Sequence, residues 1–313
     1  MRIHSSAILY FDAVRRAGSI REASRKLNVA SSAVNRQILK LEEEIGAALF
    51  ERNAAGVALT TAGEMLARHV IVVMQDLERA RSDIEALRGA RLGHISIAAV
   101  EGVAASLLPD VILRMRAIAP RVCLTTRTMG SRVIPSALVE GTADVGIAFS
   151  LGRSPLIRQA YVARFKLGAI MAPKHPLARR SSTNVAACCD YPLVGPGSEL
   201  SIAAHLEPLF QKIGRVMDAA VVADSIELMR QLAMHTPMIG FQTRIGMEHS
   251  IAEGRLVHVP LDEAGPVWSE LGVYVRAGRS LPAAVELFLQ ILTRELQDHQ
   301  RIETEQHEEL SLP

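Results

Sequence analysis

Apolar positions recur with helical spacing along the first part of the chain. A first helix is predicted over residues 5–16, with Ile8, Phe11 and Val14 on its inner face. A second helix is predicted to start at Ser19, because Ser19 and Glu22 have the spacing of a capping box. A third helix carries an apolar stripe at four-three-four spacing, formed by Val34, Ile38, Leu41 and Ile45.

A sharp break separates the second and third predicted helices. Asn28-Val29-Ala30 interrupts the pattern, since Asn tolerates left-handed geometry, and Ser31 is a good cap for the next helix. Two short helices joined by such a turn form a helix-turn-helix, whose second helix enters the major groove. The outer face of the third helix carries donors suited to base edges, namely Ser32, Asn35, Arg36 and Lys40. The alternative is an ordinary pair of amphipathic helices with a solvated face, which fits the same short pattern.

A tight hairpin is predicted after the third helix. Residues 50–59 alternate around Asn53-Ala54-Ala55-Gly56, which would form a wing. Arg52 stands where its side chain can reach a phosphate or the minor groove, although a plain surface arginine fits equally well.

A dense series of residues then identifies a family. The series is Phe11-x-x-Val14, Gly18-Ser19, Ala23-Ser24-x-x-Leu27, Ser32-Ala33-Val34-x-Arg36-Gln37-Ile38, Leu41-Glu42, Gly46, Leu49-Phe50-x-Arg52 and Leu59-Thr60-x-Ala62-Gly63. It resembles the winged helix-turn-helix of LysR-type transcriptional regulators. The resemblance implies DNA binding through Ser31, Ser32, Asn35, Arg36, Lys40 and Arg52.

The chain departs from the family pattern at two places. Asn35 stands where the family usually has a small serine, and Val29-Ala30-Ser31 lacks the Gln or Pro often found close to the serines. Asn can bond an adenine edge in a bidentate way, so we expect an operator preference different from the common one.

A long amphipathic helix is predicted next. It would start at Thr61, whose spacing to Glu64 repeats the capping box. Its apolar residues follow two seven-residue series with the a and d spacing of a coiled coil. A core helix of one domain shows the same stripe, but the position between two domains and the resemblance favour a dimer. The expected seam is Leu66, Val70, Val73, Leu77, Ile84 and Leu87.

From Ile95 onward, short apolar runs alternate with helical stretches. This alternation indicates a parallel sheet with right-handed crossovers. We expect two α/β lobes, joined by crossings near 160–164 and 265–268, with a last helix over 281–297 returning to the first lobe. The motifs resemble, more weakly, the periplasmic-binding-protein-like effector domain of LysR-type regulators: Leu107-Leu108-Pro109, Gly141-x-x-Asp144-Val145-Gly146-Ile147 and Ile239-Gly240-Phe241.

The predicted fold class is therefore α+β and multidomain. Residues 1–60 would form the winged helix-turn-helix, and 61–90 a dimerising linker helix that ends in a hinge at Arg88 to Gly93. Residues 91–297 would form the effector domain, with lobe I at about 93–162 and 269–297 and lobe II at about 163–268. Residues 298–313 are polar without an apolar period, which predicts a flexible tail.

A small-molecule effector should bind beyond the carboxyl ends of the strands, where helix starts also offer N–H groups to an anion. The candidate residues at these ends are Val100, Glu101, Gly130, Ser131, Phe149, Ser150, Gly197, Ser198 and Gln242. Family effectors are commonly small carboxylates or aromatic acids. The Glu101 carboxylate does not suit such an effector, because it would repel an anion. It would instead pair with a cationic group, point away from the site or mark an unusual effector. Simple turn and cap chemistry explains some of these residues equally well.

Charge, cysteines and histidines narrow the classes of function. The net charge is only +2, but residues 1–60 hold nine basic and six acidic side chains, so the attraction for phosphates is local. Cys123, Cys188 and Cys189 offer neither a disulfide framework nor zinc spacing, which leaves structural or incidental thiols, with a thiol sensor as the alternative. The scattered histidines show no metal-ligand spacing, and the sequence contains no GxSxG, P-loop, HExxH or dinucleotide fingerprint. We therefore expect neither an enzyme nor a cofactor.

The expected partners are a double-stranded DNA operator, a small-molecule effector and a second copy of the chain. A homotetramer and contact with RNA polymerase are further expectations. The chain shows neither a signal peptide nor an apolar run of membrane-spanning length, which indicates the cytoplasm. The alternative is a small-molecule binding or transport-type protein, or an enzyme, that carries a DNA-binding-like end. The lack of a signal peptide counts against the transport version.

Overall fold

The computed structural model describes residues 6–53, 56–87, 93–278 and 280–310. The chain divides into two compact units, residues 1–81 and 82–313, with the boundary inside a long helix. The first unit contains the predicted helix-turn-helix and hairpin. Its elements are α1 (Ser6–Ala17), α2 (Ile20–Leu27), α3 (Ser31–Ile45), β1 (Phe50–Asn53), β2 (Gly56–Leu59) and α4 (Thr61–Leu87).

The turn between α2 and α3 follows the local chemistry of the sequence. The Ser19 hydroxyl oxygen accepts from the Glu22 N–H at 3.4 Å, and Asn28 ends α2 with a φ of 53°. The prediction of Ser31 as a cap is wrong, because Ala30 holds that position. Ser31 is the first helical residue, and its hydroxyl lies 2.8 Å from that of Ser24, which links the two helices.

One apolar core joins the helices of the first unit to the start of α4. Its fully buried members are Phe11, Val14, Ala23, Val34, Ile38, Leu41, Leu49, Ala67 and Val70. Ile45 was predicted to join this core but is 44% exposed. The reason is that α3 ends there, and Gly46, with a φ of 76°, turns the chain away.

The α4 helix is capped one residue earlier than predicted. The Thr60 hydroxyl oxygen accepts from the Gly63 N–H at 3.0 Å and donates to the Ala48 carbonyl at 2.6 Å. Thr60, not Thr61, therefore caps the helix and ties it to the segment before the hairpin.

The second unit contains nine strands and eight α-helices among the residues that the structure describes. The strands are β3 (Gly93–Ala99), β4 (Val122–Thr128), β5 (Val145–Phe149), β6 (Ile157–Met171), β7 (Leu193–Pro196), β8 (Ala219–Ala223), β9 (Gly240–Thr243), β10 (Val257–Pro260) and β11 (Trp268–Arg276). The helices are α5 (Glu101–Ala105), α6 (Leu107–Ile118), α7 (Ile134–Val139), α8 (Val185–Cys188), α9 (Ser201–Lys212), α10 (Ile226–His235), α11 (Glu248–Ala252) and α12 (Ala283–Leu310).

The main sheet is mixed, so the prediction of a parallel sheet is only partly right. Its order is β10-β6-β11-β5-β3-β4, and β9 also pairs with β6. The β3 strand is parallel to β4 and β5, whereas β11 is antiparallel to both β5 and β6. The predicted crossing near 160–164 lies inside β6, a continuous strand of 15 residues that takes part in both lobes. In the second lobe, β7 and β8 form a separate parallel pair.

Each lobe of the second unit has its own apolar core. In the first lobe, α12 packs Val285, Phe288 and Leu292 against Ile97 of β3 and its neighbours, as the sequence predicts. In the second lobe, Leu167, Ile202, Phe210, Phe241 and Val259 belong to one cluster. The two lobes therefore fold around different sets of side chains while sharing β6.

The prediction of a flexible tail from residue 298 is wrong as far as Leu310, because α12 continues to that residue. Its polar side chains bond to the body of the unit. Glu303 Oε1 accepts from the Lys166 N–H at 2.7 Å, and Gln300 Oε1 accepts from the Tyr161 hydroxyl at 3.0 Å. The predicted hinge at 88–92 lies outside the described residues. No helix in the described ranges is long and apolar enough to cross a membrane.

Candidate functional site

The outer face of α3 presents polar side chains to solvent. Ser32, Arg36 and Lys40 are exposed, and Asn35 is half-buried. Lys40 lies 3.7 Å from Glu44 in a pair that is exposed on both sides, which leaves its ammonium accessible. None of these four side chains is packed into the core, so the face has the polar chemistry that groove contacts require.

The hairpin is fixed to α3 by an acidic residue. Glu42 Oε1 accepts from the N–H groups of Leu49 at 2.7 Å and Phe50 at 3.2 Å. At least one of the acids that follow Lys40 thus has a structural role in positioning the wing. Arg52 belongs to β1 and pairs in register with Val57, but its side chain lies outside the described part of the chain.

The predicted dimer seam on α4 divides into two parts. Val70 is fully buried in the core of the first unit, and Leu66 packs against the same core, so Val70 is not available to a second chain. The prediction of Val70 as a seam residue is therefore wrong. Farther along α4, Val73 and Leu77 are half-buried and Ile84 is 50% exposed. The Leu87 side chain lies outside the described residues.

A cavity of about 220 Å³ lies between the two lobes of the second unit, at the ends of β3, β4, β5, β7 and β8. The first lobe contributes Val100, Glu101, Gly102, Thr128, Met129, Gly130, Ser131 and Phe149 to its wall. The second lobe contributes Glu199, Leu200, Ser201, Ile202, Asp224, Ile226, Gln242 and Ile245.

Three of the nine candidate ligand residues do not line this cavity. Ser150 has a φ of 51° and its hydroxyl lies 2.8 Å from His205 Nε2, outside the cavity wall. Ser198 is exposed to solvent. Gly197 is buried beneath Asp224, since a Cβ at this position would stand 1.7 Å from Asp224 Oδ1. Gly197 thus makes room for the Asp224 carboxylate.

The Glu101 carboxylate does not stand unpaired at the cavity. Its Oε1 accepts from the Ser225 hydroxyl at 2.9 Å, and its Oε2 accepts from the Ile226 N–H at 2.7 Å. These bonds place a negative charge at the N-terminus of α10, where the helix dipole stabilises it. Glu101 therefore joins the first lobe to the second.

Two buried polar atoms at the cavity wall lack a partner among the described residues. They are the Ser131 hydroxyl and Gln242 Oε1, on side chains that are 5% and 2% exposed. Gln242 Nε2 donates to the Ile226 carbonyl at 2.8 Å, which orients the amide and leaves its oxygen as the unused acceptor. Buried polar groups are nearly always bonded, so these two atoms suit a ligand or an ordered water.

Several residues of the cavity wall are not among those predicted from the sequence. Asp224 follows β8, and Glu199 follows β7 by three positions, so the rule of strand carboxyl ends applies to both. The predicted set does not include the end of β8, and after β7 it ends at Ser198, one residue before Glu199. The apolar residues Leu200, Ile202 and Ile245 carry no signal for a ligand in the sequence.

The three cysteines are free thiols in the described part of the chain. The same part contains no group of three His, Cys, Asp or Glu side chains placed to hold a metal ion. Burial raises the pKa of the Cys188 thiol to about 12, so it is a protonated core side chain at neutral pH.

A winged helix-turn-helix with an outward polar face, followed by a two-lobed α/β unit with a cavity between its lobes, defines a class of ligand-responsive DNA-binding proteins. The comparisons with known proteins agree with this architecture. The family model described as the bacterial regulatory helix-turn-helix protein, lysR family, matches residues 6–64, and the LysR substrate binding domain matches residues 88–297. The chain belongs to the LysR family of transcriptional regulators.

Similar proteins span nearly the whole chain. YdcI of Escherichia coli (strain K12), an uncharacterized HTH-type transcriptional regulator, is 23% identical over 94% of this chain and 96% of its own. The HTH-type transcriptional regulator CbbR of Rhodospirillum rubrum is 27% identical over 92% of this chain and 95% of its own. A full-length OxyR variant from Pseudomonas aeruginosa has a similar fold, with a TM-score of 0.74 and 16% identity over 95% of this chain and 96% of that one.

Proposed function

We propose that this regulator reads its operator with the α3 face and that the cavity between the lobes holds the effector. The observation that supports the first part is the outward position of Ser32, Asn35, Arg36 and Lys40 on the second helix of a helix-turn-helix. Arg36 and Asn35 would contact base edges, while Ser31, Lys40 and Arg52 would contact phosphates.

The proposed binding unit is a homodimer that pairs through the distal half of α4. Two copies of α3 would then meet the two half-sites of a pseudo-palindrome. Val73, Leu77 and Ile84 would form the seam, since their side chains retain exposed surface in the single chain. Pairing of dimers into a tetramer and contact with RNA polymerase are part of the same proposal.

The cavity would couple to the DNA-binding unit through lobe closure. An effector that prefers one arrangement of the lobes shifts the population of that arrangement, and the spacing of the two α3 helices would follow. Val100, Gly130, Ser131, Phe149 and Gln242 are the proposed contacts from the predicted set. We propose that the chain acts in the cytoplasm and has no catalytic activity of its own; its relatives are named transcriptional regulators.

A gel-shift titration with the region upstream of the chain's own gene tests the operator proposal. We expect binding that survives an excess of nonspecific DNA and weakens steeply with salt, because phosphate contacts release counterions. Loss of all sequence preference under excess nonspecific DNA would instead favour a small-molecule binding protein with a DNA-binding-like end.

A further inference from the structure

The cavity between the lobes has an acidic wall. Glu101, Glu199 and Asp224 line it, and no Lys, Arg or His is among the described residues of the wall. Glu101 is occupied by its bonds to Ser225 and Ile226. Glu199 and Asp224 are exposed, and within the described ranges neither forms an ion pair with a basic side chain. Two of the residues that line the cavity therefore carry a negative charge that no basic side chain of the described ranges neutralises.

The buried acceptor at the wall favours a ligand that donates hydrogen bonds. Gln242 Oε1 can only accept, and one of the two N–H groups of its amide nitrogen donates to the Ile226 carbonyl. A carboxylate ligand brings acceptors alone and would leave this oxygen without a partner. An ammonium group brings up to three donors, which can bond to Gln242 Oε1 and to the Ser131 hydroxyl.

We propose that the effector is a small organic cation, with a protonated amine on an apolar body. The amine would bond to Gln242 and Ser131 in the field of Glu199 and Asp224. Its apolar part would pack against Phe149, Leu200 and Ile202. This proposal rests on the preceding one in taking the cavity as the effector site. It departs from the small carboxylates and aromatic acids that the family resemblance implies.

The competing ligand class is a carboxylate. The α9 helix begins at Ser201 in the cavity wall, and the N–H groups of a helix N-terminus attract anions. Neutralising Glu199 and Asp224 distinguishes the two classes. Removal of these negative charges weakens the binding of a cation and strengthens the binding of an anion.

Matched ligands on the full-length chain separate the two classes. The probes are benzylamine, benzyl alcohol and phenylacetate, and the same three head groups on a cyclohexylmethyl body. Binding is measured by thermal shift and isothermal titration calorimetry. We expect the amines to raise the Tm and the carboxylates to leave it unchanged. The double variant Glu199→Gln/Asp224→Asn should weaken amine binding by about tenfold or more. Gln242→Met should weaken it while keeping the charge of the wall.

Glu286→Gln is the matched control, because Glu286 is an exposed acid on α12 outside the cavity wall. Tighter binding of the carboxylates, no response to any amine, or an equal loss in Glu286→Gln would each overturn the proposal.

A second measurement does not depend on the ligand body. Ser201→Cys in a Cys123→Ser background places a thiol at the wall, to be labelled with cationic aminoethyl or anionic sulfonatoethyl methanethiosulfonate. Subtraction of the parent's rate removes labelling of the remaining cysteines. We expect the cationic reagent to react several-fold faster, and this ratio to fall when Glu199 and Asp224 are neutralised. A ratio that favours the anion would contradict the acidic wall.

The outcomes distinguish this inference from the proposed function. If the operator gel shift succeeds while carboxylates occupy the cavity, only the cationic class is wrong. If amines bind but no operator preference exists, the cavity proposal stands and the regulatory one falls.

Discussion

The Glu101 carboxylate of the first lobe accepts a hydrogen bond from the Ile226 N–H of the second lobe, at 2.7 Å. Ser225, the N-cap residue of α10, donates its hydroxyl to the same carboxylate at 2.9 Å. Glu101, whose negative charge does not suit an anion site, is thus a contact between the lobes. Because both bonds are charge-assisted, we expect them to favour the arrangement of the lobes seen here.

Removal of this contact should destabilise the second unit. Glu101→Ala is expected to lower the free energy of unfolding by about 1.5–3 kcal/mol, the usual range for a hydrogen bond to a charged group. Urea denaturation followed by circular dichroism measures it. A double-mutant cycle with Ser225→Ala should show a coupling energy between the two side chains. The exposed Glu286→Ala is the control, and a Glu101→Ala effect no larger than that of the control would contradict the role of the contact.

Arg36 should matter for operator binding and not for the fold. Arg36→Ala is expected to weaken binding by about 1–3 kcal/mol, because an exposed guanidinium on α3 can bond a guanine edge. Fluorescence anisotropy with the operator measures the loss, and sizing should still find the dimer. Arg215→Ala removes an equal charge from an exposed site in the second unit and should leave the affinity almost unchanged. Loss of the dimer in Arg36→Ala would mean that its role is misassigned.

The two parts of the α4 stripe should respond differently to a charge. Leu77→Asp is expected to dissociate the dimer without unfolding the chain, as followed by analytical ultracentrifugation. Val70→Asp should unfold the first unit instead, since Val70 is fully buried within a single chain. Met65→Asp, at a position that is 61% exposed and off the seam, should do neither. A stable dimer in Leu77→Asp would exclude the proposed seam.

The sequence predicts best those features that depend on near neighbours. Val34 and Ile38 fall on the buried side of α3 because helical periodicity is local. The stripe of α4 is equally visible, yet its periodicity does not distinguish a core of the same chain, which Val70 occupies, from a second chain. Contacts between residues that are far apart in the sequence are not predicted. Glu303 extends α12 by bonding to Lys166, and no local pattern links those two positions.

Stability of the second unit should depend on pH through His299. Its Nδ1 lies 3.4 Å from Glu248 Oε1, and this hydrogen bond raises the pKa of His299 against the opposing effect of burial. Folded His299 therefore holds its proton more tightly than the unfolded chain does. The stability that His299 contributes is fully present below the ordinary histidine pKa of 6.5, and it is lost as the pH rises through the folded-state pKa.

Urea denaturation at a series of pH values upward from about 6.5 tests this expectation. The free energy of unfolding should fall with rising pH, and His299→Gln should flatten the slope. His94→Gln, at an exposed position on β3, is the control. Burial lowers the pKa of His175, His205 and His258. The contributions of these three histidines to the free energy of unfolding therefore change below pH 6.5, outside the range of this experiment. An unchanged slope in His299→Gln would exclude the pair as its origin.

Gly63 should be required for the junction between α4 and the segment that leads into the hairpin. A Cβ at this position would stand 2.0 Å from the Leu49 carbonyl oxygen, a backbone atom next to a fully buried side chain. Gly63→Ala must therefore move the helix or this segment, and we expect it to cost about 1–3 kcal/mol or more of the stability of the first unit. Gly152→Ala is the matched control, because open space surrounds that glycine and its φ is not positive. The Tm and the operator affinity should both fall in Gly63→Ala and stay unchanged in Gly152→Ala. Equal Tm values and equal affinities in the two variants would show that the contact between Gly63 and Leu49 relaxes without a cost in stability.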